Sequence, residues 1–179
     1  DIETMGLHAD DPASEIFLIS LSDNRGYEAQ ITGDEPTILR ELVRLIKERD
    51  PDVIEGHNIL GFDFPYIACR AKRYGIRMGI GRDGSELSFG STQNCAIGYF
   101  SRPFSPVHIH GRHVIDTLLA VQRYDVARGE LSSHSLKAVA VAYDIAEQDR
   151  EIIPHADIAG EWKANPERVR KYALQDVLE

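Results

Sequence analysis

"EIFLISLSDNRGYEAQITGDEPTILRELVRLIKERD", residues 15–50, holds a strand, a turn, a second strand and a helix in one run, and its reading decides the fold class. Glu15 to Ser22 is a nearly continuous apolar run of strand length, the pattern of a central strand covered on both faces. "DNRG" follows as a turn. Tyr27, Ala29 and Ile31 then alternate inward, so the two runs form a hairpin. Ile38, Leu39, Leu42, Val43 and Ile46 recur at helical spacing, with Asp34 placed to cap that helix and Pro36 in its first turn.

The same grammar extends in both directions. "DVIEGHN" is a short strand, and a helix starts near "FDFPYIACRAKRY". Residues 76–106 are rich in Gly, Ser and Pro, which predicts irregular strands and loops. "VHIHGRHVID" returns to strand character, and helical stretches follow at 116–125 and 135–145. The chain closes on "NPERVRKYALQDVLE", a helix capped by Asn165 with Pro166 at its first position. Strands with intervening helices, opened by a hairpin, predict an α/β domain on a mixed sheet, with no repeat and no linker to divide residues 1–179.

Composition sets the outer limits. With 179 residues, 42% apolar and 27% charged, the chain suits one globular domain and not a disordered segment. No stretch approaches the ~20 apolar residues of a membrane span, and no signal peptide precedes the globular pattern. Cys69 and Cys95 form no CxxC motif, which fits free thiols in a reducing, cytoplasmic setting, at the nucleoid if the source is prokaryotic. The net charge of −9 argues against a nucleic-acid partner unless several acids are metal ligands. Basic residues do cluster locally, in "CRAKRYGIR" and "ERVRKY".

Several acids stand where apolar residues belong. Asp176 lies seven residues after Val169 and four after Tyr172, on the stripe that Ala173 and Val177 also mark, so it faces the protein. Asp63 sits between Phe62 and Phe64. Asp1 and Glu3 share one face of a strand, with Ile2 turned to the other face and the core. A lone buried carboxylate costs several kcal/mol or takes up a proton, and four together also repel one another. Divalent cations relieve both problems, and hard oxygen ligands suit Mg²⁺ or Mn²⁺.

Each piece alone has a plainer reading. A single Asp-x-Glu carries almost no information, Asp63 also fits a helix N-cap, and Tyr172 and Asp176 also fit an i,i+4 hydrogen bond. Asp116 ends a strand, where an N-cap role competes with a place in the cleft. His108, His110 and His113 lack the cysteine or second histidine pair that a zinc site requires. The combination of acids is what favours a metal site.

"DIET" (Asp1–Thr4), "GHNILGFD" (Gly56–Asp63) and "YALQD" (Tyr172–Asp176) resemble the three motifs of DnaQ-like 3′–5′ exonucleases with tyrosine in the third motif. The N-x-x-x-F-D pattern of Asn58, Phe62 and Asp63 resembles the proofreading domain of family B DNA polymerases. "IGRDGSEL" and "GRHVID" are similar to the bacterial DNA polymerase II type. The resemblance implies a ribonuclease-H-like fold, a mixed five-stranded sheet flanked by helices. It makes Asp1, Glu3, Asp63 and Asp176 ligands of two Mg²⁺ or Mn²⁺ ions, and Tyr172 the residue that positions the attacking water. Two ions about 3.5–4 Å apart activate water and stabilise the leaving oxygen of an in-line displacement. A phenol with a pKa near 10 would orient that water without deprotonating it.

The resemblance also implies that Thr4, Met5, Asn58 and Phe62 lie near the terminal nucleotide; a turn-capping role for Asn58 and a core role for Phe62 compete with this. The implied substrate is the single-stranded 3′ end of DNA, and the implied partner is a polymerase domain in the same parent chain. The chain opens on a ligand itself, which predicts a truncated first strand in a domain cut from a longer protein. A catalytically silent DNA-binding module and an exoribonuclease of the same fold are the competing functions. Retention of all four acids and the tyrosine favours activity.

Overall fold

The computed structural model describes residues 1–146 and 150–179. Three strands open the chain: β1 (Ile2–Thr4), β2 (Ile16–Ser22) and β3 (Glu28–Thr32), joined as an antiparallel ladder with β2 in the centre. The expected hairpin is β2–β3, with Leu18 opposite Thr32 and Ser22 opposite Glu28. Between Glu3 and Thr4 the β1–β2 register slips, so that Leu18 faces Glu3 and Ile16 faces Thr4 while Phe17 is extra. This bulge turns Phe17 and Leu18 toward the same side. It explains why an apolar run without alternation covers both faces: Ile16 and Ile19 join one core cluster, Phe17 and Leu18 the other.

Helix α1 (Glu35–Arg49) starts as expected, with the Asp34 carboxylate accepting from the Thr37 N–H and Pro36 in the first turn. Ile38, Leu39 and Leu42 bury against β2 and β3. Strand β4 (Val53–Gly56) leads through Asn58 into α2 (Asp63–Arg73). Strands β5 (Ser88–Phe89), β6 (Gln93–Ile97), β7 (Phe100–Phe104) and β8 (Val107–His108) fill the irregular segment, with β6–β7 an antiparallel hairpin. The stretch "VHIHGRHVID" is two strands, not one. The chain turns at Gly111 (φ 75°), and β9 (His113–Asp116) then pairs parallel with β4. Only a residue without Cβ adopts that φ cheaply, so the break was legible at Gly111.

The last third is helical: α3 (Thr117–Asp125), α4 (Leu136–Ala142), α5 (Ile158–Ala164) and α6 (Pro166–Leu178). Helix α5 was not expected from the sequence, and its seven residues are too few to show a clear period. Helix α6 begins as read, with Asn165 Oδ1 accepting from the Arg168 N–H. Its stripe of Val169, Tyr172 and Ala173 is buried against Phe17, Leu18 and Ile158, and Trp162 stacks on Phe17 at 4.7 Å. Helices therefore cover the β1–β3 ladder on both sides, α1 and α2 on one and α5 and α6 on the other.

The architecture is mixed α/β. Its antiparallel three-stranded ladder and its parallel β4–β9 pair together hold five strands, but no ladder hydrogen bond joins β1 to β4 among the described residues. No described helix is long and apolar enough to cross a membrane. The basic run "CRAKRYGIR" is not a surface patch throughout, because Arg70 is fully buried and paired with buried Glu35.

Candidate active site

Strand β1 and helix α6, from opposite ends of the chain, meet at the β1–β2 bulge. There the carboxylates of Asp1, Glu3 and Asp176 each offer an oxygen within 4.8 Å of the others. On one octahedral Mg²⁺ a trans pair of oxygens is about 4.2 Å apart and a cis pair about 2.9 Å, so the three side chains are close enough to share an ion once their rotamers draw together around it. Asp1 is exposed and its ammonium donates to the Ser20 carbonyl at 3.1 Å; Glu3 is buried and Ile2 between them faces the main core, as the strand alternation requires.

Asp63, the fourth expected ligand, does not join this trio. It is the first residue of α2, not its N-cap: Phe62 holds that position without a side-chain bond. Asp63 lies next door, where its buried carboxyl is raised above the usual range by desolvation, against the pull of the N-terminal ammonium and a hydrogen bond from the Ile2 backbone. The i-spacing of the motif shows that Asp63 points inward; how far its short side chain reaches depends on where α2 begins.

The electrostatics of the trio are severe. Burial, then the Asp176 carboxylate, push the Glu3 carboxyl up to about 8, although Lys137 and the N-terminal ammonium oppose this. Relief of the repulsion does not fall to divalent cations alone, as the sequence suggested, because the fold supplies two cations of its own. Arg150 pairs with Asp176 Oδ1, and Lys137 Nζ lies 3.7 Å from Asp176 Oδ2. Neither was singled out in the sequence. Lys137 had a signal, a lone cation in the apolar start of α4, "SLKAVAV". Arg150 had none, since "DREIIP" follows no helical or strand period.

Tyr172 is fully buried, one turn before Asp176. Its hydroxyl oxygen accepts from Lys137 Nζ, which also lies 4.1 Å from the ring centroid. Burial first, then Asp176 and Glu3, drive the phenol far above its ordinary range, so it stays neutral. Because Lys137 donates to the phenol oxygen, the phenol's own proton is left to the Asp176 carboxylate.

A network not read from the sequence holds the surrounding loops. The Asp116 carboxylate caps α3 by accepting from the Leu118 and Leu119 N–H groups at 3.0 and 3.2 Å, which confirms the N-cap reading. It also accepts from the Asn58 and Leu60 N–H groups at 3.2 and 3.1 Å, so one side chain fixes both α3 and the β4–α2 loop. His57 Nε2 meets the His134 carbonyl at 2.8 Å, and His134 Nε2 meets Asp125 at 2.9 Å, which ties that loop to the segment before α4 and Lys137.

The expected substrate residues are scattered around this centre. Thr4 Oγ1 donates to the Gly6 carbonyl at 2.8 Å, and Met5 packs on the second core cluster. Asn58 takes a left-handed conformation (φ 65°), which Asn tolerates. Its Oδ1 would lie 2.5 Å from a Cβ on Gly61, so a larger residue there would displace the Asn58 amide. Phe62 is half-buried, packs on the main core and lies 5.2 Å from the Tyr66 ring. A cavity of about 710 Å³ opens beside Asn58 and Asp116, with Phe89, Phe104, Lys72 and Arg102 on its walls.

Comparison with known proteins identifies the family of the chain. The family described as "DNA polymerase family B, exonuclease domain" matches residues 8–139. A DNA polymerase of Archaeoglobus fulgidus is 34% identical over 166 residues, which is 91% of this chain and 19% of that protein. A DNA polymerase of Pyrococcus horikoshii is 30% identical over 190 residues, 98% of this chain and 14% of that protein. The chain thus spans no more than about a fifth of these relatives' length. The family B DNA polymerase structure from Pyrobaculum calidifontis superposes with a TM-score of 0.77 at 24% identity, over 99% of this chain and 22% of that one, a likeness of fold. These relatives are archaeal, so the likeness to the bacterial polymerase II type rests on "IGRDGSEL" and "GRHVID" alone. Since the matched span of residues 8–139 takes in well over half of the sequence, the chain belongs to the exonuclease domain family of family B DNA polymerases.

Proposed function

We propose that this domain is a divalent-metal-dependent 3′–5′ exonuclease. It removes nucleotides one at a time from the single-stranded 3′ end of DNA and proofreads for a polymerase in the same parent chain. The observation that supports this most is the convergence of Asp1, Glu3 and Asp176 where Glu3 cannot keep its charge near neutral pH unaided. Folds keep such unfavourable clusters where chemistry needs them. We also read the β1–β3 ladder and the β4–β9 pair as parts of one five-stranded, ribonuclease-H-like sheet, because Ile2, Ile54 and Val114 pack in one cluster.

Asp1, Glu3 and Asp176 would hold Mg²⁺ or Mn²⁺, with Asp63 beside them for a second ion. Such ions would supply water activation and stabilisation of the leaving 3′ oxygen. The chain's own groups do the positioning. Tyr172, neutral, accepts from Lys137 and hydrogen-bonds Asp176, which holds its hydroxyl beside the acids, where it would orient a water. Lys137 places positive charge beside the acids, on the side of Asp176 Oδ2, where it would favour an incoming phosphate. Thr4, Met5, Asn58 and Phe62 are assigned to the terminal nucleotide, and the cavity beside Asn58, with aromatic and basic walls, to the strand leading to it.

The test is cleavage of 5′-labelled DNA and RNA of identical sequence, single-stranded and 3′-overhanging, with Mg²⁺ or Mn²⁺. A ladder shortening from the 3′ end of DNA is expected. Binding without cleavage would point to a silent module, and preference for RNA to an exoribonuclease. Asp176→Ala should remove the ladder while leaving far-ultraviolet circular dichroism unchanged. Tyr172→Phe should slow turnover by about a hundredfold, the scale of a misplaced reactant, with Mn²⁺ affinity unchanged. Loss of Mn²⁺ binding in that variant would show that Tyr172 supports the metal site instead.

A further inference from the structure

Arg70 and Arg150 both have enclosed side chains paired with acids, and they are held in opposite ways. Arg70 is saturated: its Nε and Nη2 grip both oxygens of Glu35, while Nη1 donates to the Ala9 and Asp11 carbonyls at 3.2 and 2.8 Å. Arg150, just as enclosed at 5% side-chain exposure, is loosely held. One nitrogen, Nη2, serves both Asp176 Oδ1 and Glu179 Oε2, the latter at 2.7 Å. Nη1 makes a long bond of 3.3 Å to the Glu151 carbonyl, and among the described residues the buried Nε has no hydrogen-bond partner. A buried donor left unmade is costly, so this position is one the guanidinium can leave.

Its backbone is better anchored than its side chain. The neighbouring Glu151 N–H donates to Gln175 Oε1 at 2.8 Å, and the Glu151 carboxylate pairs with Arg168 at 3.0 Å. The side chain can therefore swing while the chain stays docked on α6. Asp176 meanwhile has a cation against each oxygen, Arg150 on Oδ1 and Lys137 near Oδ2. A divalent ion held by Asp1, Glu3 and Asp176 would meet one of them as a like charge. Lys137 has a second tie to the Tyr172 hydroxyl, whereas Arg150 has Glu179 to retreat to.

We propose that Arg150 is an exchangeable counter-ion: it neutralises Asp176 before metal binds and moves off onto Glu179 when a divalent cation takes its place. This rests on the metal reading above and adds that metal affinity is set partly by a competing guanidinium. In the 179-residue chain, Arg150→Gln should bind Mn²⁺ about tenfold more tightly than wild type by isothermal titration, with Arg150→Lys in between. Equal or weaker Mn²⁺ binding by a folded Arg150→Gln overturns the counter-ion role and leaves the nuclease reading standing. No Mn²⁺ binding by wild type at millimolar concentration overturns both. A second measurement does not depend on the folding of Arg150→Gln: the Arg150 Nε–H resonance, assigned by its absence from folded Arg150→Lys, should shift as wild type is saturated with Mg²⁺. A resonance that stays in place at saturation overturns the exchange.

Discussion

Replacing Glu3 by glutamine is expected to abolish cleavage and, in the metal-free protein, to increase stability. The two effects have one cause. In the fold the Glu3 carboxyl is raised to about 8 from an ordinary 4.5, by burial first and Asp176 second. Between these two values the folded state keeps a proton that the unfolded state has lost, so stability falls as pH rises through that window. Below about 4.5 both states are protonated and the loss vanishes. Glutamine copies the protonated acid in the fold but cannot ionise when unfolded. The variant should therefore match wild type at pH 4 and exceed it by about 3 kcal/mol at pH 7. Urea unfolding in EDTA across this range measures it, and a constant difference at all pH values would remove Glu3 from the account. Cleavage in Mn²⁺ should fall by at least about a thousandfold, because an amide oxygen lacks the charge that the site is built to provide. The same proton must leave when a cation binds, so wild-type Mn²⁺ affinity should climb with pH up to about 8.

That opposition between stability and chemistry is why part of the site was legible in the sequence. Asp176 was visible because an acid seven residues after Val169 and four after Tyr172 contradicts the apolar stripe of its helix, and Val169 and Tyr172 are indeed fully buried. Glu3 was visible through strand alternation with Ile2. The same reasoning placed Asp63 inward but could not measure reach, and its carboxyl stops beside the trio at the Ile2 backbone. Periodicity reports direction, not distance. It also fails in short or irregular stretches, which hid α5 and the side chain of Arg150. In β2 the opposite happened. Four apolar residues in a row announced a doubly covered strand, but the reason, a bulge that turns Phe17 and Leu18 to one side, depends on pairing with a strand more than ten residues away.

The largest loss of stability should come from a residue that no substrate touches. Glu35→Ala is expected to cost about 3–5 kcal/mol, the scale of a buried ion pair broken on one side. Arg70 would stay in the interior at 0% exposure with its main counter-ion gone. The Ile16 N–H would lose its acceptor as well, since Glu35 Oε1 takes that bond at 2.8 Å. Ile16 is the β2 residue opposite Thr4, at the bulge beside Glu3, and Arg70 also holds the Ala9 and Asp11 carbonyls of the loop that follows β1. The pair therefore joins α1 and α2 to β2 and to the loop after β1, on either side of the strand that carries Glu3. Glu35→Ala should weaken Mn²⁺ binding in parallel with stability, whereas Glu35→Met with Arg70→Met should recover much of the stability by removing the orphaned charge. Chemical unfolding of the two variants separates the explanations. If the double variant were no more stable than Glu35→Ala, the unpaired Ile16 N–H, together with the Ala9 and Asp11 carbonyls that lose Arg70, would outweigh the orphaned guanidinium.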